Sequence, residues 1–353
     1  MRFLHIADMH FDSPFSLLST QENFGEQRRL DQRKVFKKII EKIKNEKIEY
    51  LFIAGDLYEH QYVRQTTIEF INNLFKEIPE TKIFIAPGNH DPILKNSYYN
   101  NFNWNENVYI FNSDITKYEF EEVDIYGYGF DDFYLNNSKI NEIKIENKNK
   151  LNILITHGDL NASNNSELQY NPINEQQINA LGFDYVALGH IHKKEIFGNI
   201  AYPGSTISFG FDEQGEHGMY CVTLEKNKLE INFEKMDEKE FAENYLNISE
   251  IFSEEELIEK LNLINLDENK YYKIILEGNK NFEINTNKLL KNILNKNILK
   301  IKDTSKIKID FEKIKKENNL KSYFLQEIEK IKKENNYTEE EIEKAIEIGL
   351  QSI

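Results

Sequence analysis

Histidine, aspartate and asparagine residues stand at five points in the first 200 residues, each where an apolar segment ends. The five blocks are Asp8-x-His10, Gly55-Asp56, Gly88-Asn89-His90-Asp91, His157-Gly158 and Gly189-His190-x-His192. Five of the eight histidines of the chain lie in these blocks, so a random scatter explains them poorly. Imidazole, carboxylate and amide groups form the mixed nitrogen and oxygen set that suits Mn²⁺, Zn²⁺ or Fe²⁺. The spacing therefore predicts a site for divalent metal ions.

Each block follows a segment that is predicted to be a β-strand. The predicted strands are 2–7, 49–54, 82–86, 151–155 and 183–188, and segments with helical spacing lie between them at 28–47, 63–78 and 174–181. This strand-helix alternation favours a parallel or mixed sheet covered by helices. Because parallel sheets collect ligand-binding groups beyond their carboxyl ends, we expect the blocks to meet at one edge, with the adjacent glycines allowing sharp turns.

The remaining segments predict a second sheet and a second domain. Short strands at 108–111 and 122–129, followed by antiparallel strands at 195–202, 218–224 and 228–235, complete the second sheet. Residues 1–237 are thus predicted to be an α/β sandwich of two sheets packed face to face and flanked by helices. Residues 238–270, rich in Glu and Asn, are predicted to be a linker with a helix at 253–263, and residues 271–353 a smaller α/β capping domain that ends in a helical hairpin.

Composition limits the class of protein. The net charge of -16 argues against a general basic coat for nucleic acid, so metal ions would have to supply local positive charge. The single cysteine, Cys221, excludes an intramolecular disulfide and a cysteine metal cluster. The sequence also lacks a long apolar run and the apolar core of a signal peptide. We therefore expect a cytoplasmic protein without a membrane segment.

The five blocks, in this order and each after an apolar strand, resemble the signature of the calcineurin-like metallophosphoesterase superfamily over about residues 1–210. Within that superfamily the chain is similar to the DNA-repair exonuclease branch of the SbcD and YhaO type, in the double-strand-break nuclease family. The stretches that carry this likeness are 4–12, 88–92, 182–192 and 202–205.

The resemblance implies a complete set of metal ligands. One metal ion is held by Asp8, His10 and His192, a second by Asn89, His157 and His190, and Asp56 bridges both. The ions are expected to be two Mn²⁺, with Fe²⁺ or Zn²⁺ as alternatives. Two cations of this kind can lower the pKa of a shared water, clamp a phosphate and stabilise the leaving oxygen.

The same resemblance implies the roles of the residues beside the ligands. A bridging hydroxide attacks the phosphorus in line, and His90 either protonates the leaving group or stabilises the phosphorane-like transition state. Asp91 either orients the His90 imidazole or is a turn residue. Archaeal and eukaryotic relatives carry a histidine three residues after the bridging aspartate, where this chain has Glu59. Of the other histidines, His5 is predicted to be buried and His217 to lie in an exposed turn.

The function implied is a two-metal DNA phosphodiesterase, an exonuclease or endonuclease that processes DNA ends. Its expected partners are DNA, an SbcC-like coiled-coil ATPase of the SMC type, and a second copy of the chain in a homodimer. Two alternatives stay open. One is a phosphoesterase for a small phosphodiester, a phosphomonoester or a phosphoprotein, which the acidic charge slightly favours. The other is a scaffold that binds partners without catalysis.

Overall fold

The computed structural model describes residues 1–15, 23–161, 168–307, 314, 319–333 and 337–352. The strands are β1 (Arg2–Ile6), β2 (Tyr50–Ile53), β3 (Lys82–Ile85), β4 (Val108–Ile110), β5 (Thr116–Glu119), β6 (Val123–Gly127), β7 (Leu151–His157), β8 (Asp159–Leu160), β9 (Pro172–Ile173) and β10 (Tyr185–Gly189). They continue with β11 (Glu195–Phe197), β12 (Ile200–Tyr202), β13 (Gly218–Glu225), β14 (Lys228–Lys235), β15 (Glu240–Asn247), β16 (Lys270–Glu277), β17 (Asn279–Lys280), β18 (Ile298–Asp303) and β19 (Lys306–Ile307). The helices are α1 (Phe24–Glu46), α2 (Gln65–Lys76), α3 (Tyr98–Asn101), α4 (Glu175–Leu181), α5 (Glu254–Leu263), α6 (Thr286–Asn292), α7 (Leu320–Lys333) and α8 (Glu339–Ser352), with a 3-10 turn at Ile140–Glu142.

Two six-stranded sheets form the α/β sandwich that the sequence predicted. The first has the order β14-β13-β1-β2-β3-β4 and the second the order β11-β12-β10-β7-β6-β5. Strands β1 to β4 run parallel, as do β6, β7, β10 and β12. In both sheets the parallel strands point their carboxyl ends in one direction, which is the arrangement that gathers side chains at an edge.

Strands β13 and β14 belong to the first sheet, so the prediction that they complete the second sheet is wrong. On the side of β1 that faces away from β2, β1 pairs with β13 in antiparallel register, with Arg2 opposite Thr223. Alternating apolar residues predicted the strands themselves but carry no signal for the partner. The segment predicted as one strand at 195–202 is the hairpin of β11 and β12, which turns at Gly198.

Apolar side chains bury both faces of each sheet. Phe3, Phe52 and Phe84 of the first sheet pack against Ile153 and Tyr185 of the second, which forms the core between the sheets. The opposite face of the first sheet carries Leu4, Ile6, Leu51 and Ile83, and it is covered by α1 and α2 through residues such as Phe36, Ile39 and Ile71. The outer face of the second sheet packs against α4 through Ile178. Burial on both faces explains why these strands are continuously apolar.

Helix α1 has the apolar face that its spacing predicted, but it starts four residues before the predicted residue 28. Val35, Phe36, Ile39, Ile40 and Ile43 are all buried. The helix also buries two polar residues, Arg28 and Gln32, which hydrophobic periodicity would place in solvent. The Gln32 side chain donates to the backbone oxygens of Met9 and His10. The helix therefore supports the chain segment that follows β1.

The described chain divides into two compact units. The first unit comprises residues 1–244, 265–274 and 295–301, and the second comprises 245–264, 275–294 and 302–353. Strand β15 lies in the segment that was predicted to be a linker. Within the second unit, Ser253 caps α5, and Thr338 and Glu341 form a reciprocal capping box at α8. The domain boundaries at residues 237 and 270 stay predictions.

None of the described helices combines the length and the apolar character needed to cross a bilayer.

Candidate metal centre

Three neighbouring parallel strands of the first sheet deliver polar side chains to the same edge. Asp8 and His10 follow β1, Asp56 follows β2, and Asn89 and His90 follow β3. The registers Ile6 with Ile53 and Ile53 with Ile85 align the strand ends. Backbone hydrogen bonds then join the loops, since Asp8 N donates to the oxygen of Gly55 (3.1 Å) and His10 N to that of Asp56 (2.8 Å).

The second sheet contributes the remaining three predicted ligands. His157 is the last residue of β7, and His190 and His192 follow β10, which pairs with β7 in parallel. The backbone N–H of His190 donates to both carboxylate oxygens of Asp8 (3.1 and 3.2 Å), so the two sheets are joined at the site. Oxygen or nitrogen atoms of Asp8, His10 and His192 lie within 4.8 Å of one another, as do those of Asp8, Asp56 and His157.

Four of the candidate ligands adopt a backbone conformation that residues with a Cβ rarely adopt. The φ angles are 51° at Asp8, 46° at His10, 52° at Asp56 and 107° at His190. Such residues cost free energy and persist where the surrounding structure holds them, which happens most often at functional sites. The left-handed backbone thus occurs at residues that directly follow strand ends and whose ligand atoms lie close together.

Two of the adjacent glycines are required by close approach. A Cβ on Gly55, whose φ is +90°, would overlap the His157 ring. A Cβ on Gly88 would overlap the Asp56 carboxylate, although Gly88 itself has no positive φ. The expectation that glycines serve sharp turns thus holds at Gly55, whereas at Gly88 the missing side chain leaves room for a ligand.

Three of the histidines that are candidate metal ligands have their Nδ1 atoms committed to acceptors. His10 Nδ1 lies 2.8 Å from Glu59 Oε1, His192 Nδ1 lies 2.6 Å from Glu213 Oε1, and His157 Nδ1 donates to the backbone oxygen of Ala54 at 2.8 Å. A carboxylate or carbonyl oxygen can only accept, so each Nδ1 carries the proton. In a neutral ring this leaves the Nε2 lone pair free for a metal ion.

These Nε2 atoms face other acceptors at short distance, which is the arrangement a cation requires. The Nε2 atoms of His10 and His192 are 3.1 Å apart. His157 Nε2 is 3.1 Å from Asn89 Oδ1 and 3.2 Å from Asp56 Oδ2. Lone pairs this close repel unless a proton or a metal ion lies between them. The nitrogen and oxygen donors fit a divalent ion of intermediate softness.

The pKa shifts of the side chains at the site also indicate that it attracts cations. Burial disfavours a charge on His157, but the Asp56 carboxylate outweighs it and raises the pKa of His157 to about 9. Burial also opposes ionisation of Asp56, yet the charge of His157 holds the pKa of that carboxyl well below its usual range. For His192, hydrogen bonding to Glu213 overcomes burial and raises the pKa to about 9. The negative potential that attracts protons here favours divalent cations.

His90 stands at the rim of the centre. Its side chain is 45% exposed, and Nδ1 lies 3.0 Å from Glu59 Oε2. Burial lowers the affinity for a proton, but the hydrogen bond to Glu59 and the charge of Asp56 raise the pKa of His90 to about 9. A ring nitrogen of His90 also falls within 4.8 Å of ligand atoms of His10 and Asp56. The ring is thus placed to donate a proton near the metal centre.

Asp91 does not contact the His90 imidazole, so the interpretation that Asp91 orients this ring is wrong. Its buried carboxylate accepts from the backbone N–H groups of Asp56 (3.1 Å), Leu57 (2.7 Å) and Gly88 (2.7 Å) and from the Tyr99 hydroxyl (2.6 Å). The open alternative, a turn residue, fits these contacts. Asp91 ties the loop after β2 to the loop after β3 and so fixes the backbone of Asp56.

His190 and Asn89 both lie beside His157, with Asn89 Oδ1 3.1 Å from His157 Nε2. The His190 ring is 5.3 Å from that of His157 and 4.9 Å from that of Tyr170, measured between centroids. Burial, followed by the neighbouring His157 charge, lowers the pKa of His190 to about 3, so the ring is neutral at pH 7. A neutral ring offers the lone pair that a metal ligand needs.

The sequence singled out Glu59 only as a departure from the relatives, and it gave no sign of the contacts that Glu59 and Glu213 make with His10 and His192, which lie 49 and 21 residues away along the chain. It also placed His217 in an exposed turn, which is wrong. His217 is 4% exposed, because the loop folds back so that the ring contacts the Ser205 hydroxyl (2.8 Å) and the backbone oxygen of Glu213 (3.0 Å). His5 is fully buried, as predicted, and contacts the Tyr185 hydroxyl at 2.9 Å.

The block at 202–205 has a structural role. Tyr202 is 1% exposed, donates its hydroxyl proton to the oxygen of Gly158 (2.8 Å) and accepts from Leu160 N (2.9 Å). It therefore fixes the turn after His157 and is not exposed to a substrate.

Comparison with known proteins gives a family. Residues 1–194 match the family described as Calcineurin-like phosphoesterase. The metallophosphoesterase YhaO of Bacillus subtilis, described as uncharacterized, is 26% identical over 249 residues, which cover 67% of this chain and 60% of that protein. The SbcD component of the nuclease SbcCD is 26% identical both in Staphylococcus saprophyticus (65% of this chain, 66% of the relative) and in Staphylococcus epidermidis (65% and 67%). This chain thus spans 60% to 67% of the length of these relatives.

The matched residues make up more than half of the chain and contain all seven candidate metal ligands, from Asp8 to His192. This chain belongs to the calcineurin-like phosphoesterase family.

Proposed function

We propose that this chain is a DNA phosphodiesterase that uses two divalent metal ions, most simply Mn²⁺, and processes DNA ends as an exonuclease or endonuclease. The observation that carries the proposal is the group of acceptors at the strand ends, with Nε2 of His10 and His192 3.1 Å apart and Nε2 of His157 3.2 Å from Asp56. The family supplies the phosphoester chemistry. The substrate class is supported by two relatives that are named as components of the nuclease SbcCD.

The side chains divide into those that hold the ions and those that act on the substrate. Asp8, His10 and His192 would hold one ion, and Asn89, His157 and His190 the other, with Asp56 between them. When bound, the ions supply Lewis acidity toward the phosphate oxygens and toward an attacking water.

His90 would supply the proton that the leaving oxygen needs. A water oxygen forms a new bond to phosphorus while the bond to the leaving oxygen breaks, and that oxygen takes its proton from the exposed His90 ring. Burial opposes a charge on His90, but the hydrogen bond to Glu59 and the charge of Asp56 raise the pKa of the ring, which favours the protonated form that this step needs. Glu59, bonded to His90 Nδ1, stabilises the protonated ring before the transfer.

The proposal extends to the partners and the location of the chain. Because two of the relatives are components of a nuclease named SbcCD, we propose that this chain pairs with an SbcC-like coiled-coil ATPase of the SMC type. Homodimer formation and a cytoplasmic location belong to this proposal. Residues 271–353 would act as the capping domain.

A second candidate is a phosphoesterase for small substrates, and the net charge of -16 favours it, since a polyanion such as DNA is repelled by an acidic surface. The two candidates differ in the substrate that they cleave.

Digestion of linear DNA separates the candidates. The full-length chain would be incubated with DNA labelled at the 5′ or the 3′ end, with Mn²⁺ or with EDTA, beside bis-p-nitrophenyl phosphate as a small diester. We expect Mn²⁺-dependent shortening of the DNA, and the position of the label shows the polarity. Cleavage of the small diester with intact DNA would support the second candidate instead. Asp56→Asn, which removes the bridging charge, should abolish both reactions.

A further inference from the structure

Glu59 lies where the loops that carry His10 and His90 meet. Its backbone N–H donates to the oxygen of Phe11 (3.0 Å), and the next residue, His60, donates to the oxygen of His90 (2.9 Å). The oxygen of Glu59 in turn accepts from the N–H groups of Tyr62 (3.0 Å) and Val63 (2.8 Å). The main chain at Glu59 is therefore fixed relative to both neighbouring loops before its side chain makes any contact.

The Glu59 carboxylate contacts two rings, with one oxygen for each. Oε1 lies 2.8 Å from His10 Nδ1, and Oε2 lies 3.0 Å from His90 Nδ1. The His10 side chain is 4% exposed and the His90 side chain 45%, while Glu59 itself is 15% exposed. One carboxylate thus connects a ring inside the metal centre to a ring at its rim, and it can do so only as an acceptor of both Nδ1 protons.

We infer that Glu59 is a positioning residue that sets both rings at once. Through His10 it directs Nε2 toward His192 and Asp56, and through His90 it holds the proton donor beside the same centre. The inference rests on the proposed function for the role of His90, whereas the effect on His10 concerns metal binding alone. It follows that one substitution at Glu59 weakens metal binding and slows turnover by two separate routes.

Glu213 provides a matched control within the same site. Its Oε1 lies 2.6 Å from His192 Nδ1, so it holds a candidate metal ligand in the way that Glu59 holds His10. Its other oxygen accepts from the backbone N–H of Phe209 (2.9 Å) and lies 3.4 Å from the Ser205 hydroxyl. Glu213 therefore orients a single ring. A comparison of the two glutamates separates the effect on metal binding from the effect on His90.

The experiment uses Glu59→Gln and Glu213→Gln, each alone and combined with His90→Asn, in the full-length chain. Glutamine keeps the size of the side chain but has one acceptor oxygen, so Glu59→Gln leaves at most one ring with its partner. Mn²⁺ affinity is measured by calorimetry on the metal-free proteins. Values of kcat are measured at saturating Mn²⁺ on bis-p-nitrophenyl phosphate and on DNA.

We expect both glutamine variants to lower Mn²⁺ affinity by about 10- to 100-fold, as is typical for residues that orient a metal-bound histidine. Glu59→Gln should also lower kcat by about 10- to 100-fold when His90 is present, and should lower it no further in the His90→Asn background. Glu213→Gln should change kcat by the same factor in both backgrounds.

Two outcomes would overturn the inference. An unchanged Mn²⁺ affinity in Glu59→Gln would remove the role through His10, and an equal loss of kcat with and without His90 would remove the role through His90. If Glu59→Gln does not fold, Glu59→Asp, which keeps the charge but is too short to reach both rings, replaces it with the same expected pattern. Failure on DNA with turnover of the small diester would count against the DNA substrate and leave the positioning role standing.

Discussion

At the scale of single residues, His90 combines exposure with a site next to buried candidate ligands. His90→Asn removes the proton donor and leaves the predicted ligand set complete. We expect the variant to keep its metal content and to lose about 10²- to 10⁴-fold in kcat, the usual contribution of a general acid. Metal content is measured by mass spectrometry of the purified protein and kcat by hydrolysis of the small diester. Loss of a metal ion would instead make His90 a ligand, which is compatible with a ring nitrogen that lies within 4.8 Å of atoms of His10 and Asp56.

The contacts of Asp91 stabilise two loops and differ from the role beside His90 that the resemblance suggested. Asp91 accepts four hydrogen bonds while fully buried, so Asp91→Asn leaves donors without an acceptor. We expect the free energy of unfolding to fall by about 1–3 kcal/mol. Tyr99→Phe removes one of these bonds and should cost about 1 kcal/mol. Urea unfolding measures the free energy of unfolding of both variants. An equal decrease in Asp91→Asn and Tyr99→Phe would mean that the backbone contacts of Asp91 do not stabilise the loops.

At the scale of secondary structure, α1 supports the site through a buried amide. Gln32→Leu removes the hydrogen bonds to the oxygens of Met9 (2.7 Å) and His10 (3.0 Å), which leaves both carbonyls without that donor. We expect a loss of about 1–3 kcal/mol in the free energy of unfolding together with weaker Mn²⁺ binding. Gln27→Leu, an identical change at an exposed position of α1, is the control and should leave Mn²⁺ binding unchanged. Equal Mn²⁺ affinities in the two variants would show that α1 does not position the segment after β1.

Strand β1 carries a histidine whose titration should be visible in stability. Burial lowers the pKa of His5 to about 3, so the folded state keeps this ring neutral while the unfolded chain binds a proton near pH 6.5. The unfolded state then binds more protons below pH 6.5, and stability falls as the pH drops. Between pH 6 and pH 5 the free energy of unfolding of the chain should fall by about 1 kcal/mol more than that of His5→Gln, because glutamine does not titrate. Urea unfolding at both pH values measures this loss. If the chain and His5→Gln lose the same free energy of unfolding between pH 6 and pH 5, a buried neutral His5 is contradicted.

The elements show where sequence reasoning succeeds and where it stops. The apolar spacing of α1 and the strands that end in Asp8, Asp56 and Asn89 could be predicted, because periodicity and strand termini are local features. The partner of β13 could not, because pairing is decided by which edge of β1 is free. The contacts of Glu59 and Glu213 could not be predicted either, since only the folded chain brings these glutamates to their histidines.

At the scale of the whole molecule, an acidic protein holds a compact centre that demands positive charge. The net charge is -16, and the centre itself gathers carboxylates with the Nε2 lone pairs of three histidines. Divalent ions would bind between the facing acceptors, and their positive charge would let a phosphate bind at the centre despite the acidic surface. Bound metal ions would therefore supply the positive charge through which this acidic chain binds an anionic substrate.

The most direct measurement is anomalous diffraction from crystals of the full-length chain grown with Mn²⁺. We expect two anomalous peaks between the strand ends, one beside His10 and His192 and the other beside Asn89 and His157, with the Asp56 carboxylate between them. A single peak, or peaks only at other positions, would contradict the two-metal centre on which the proposed hydrolysis depends.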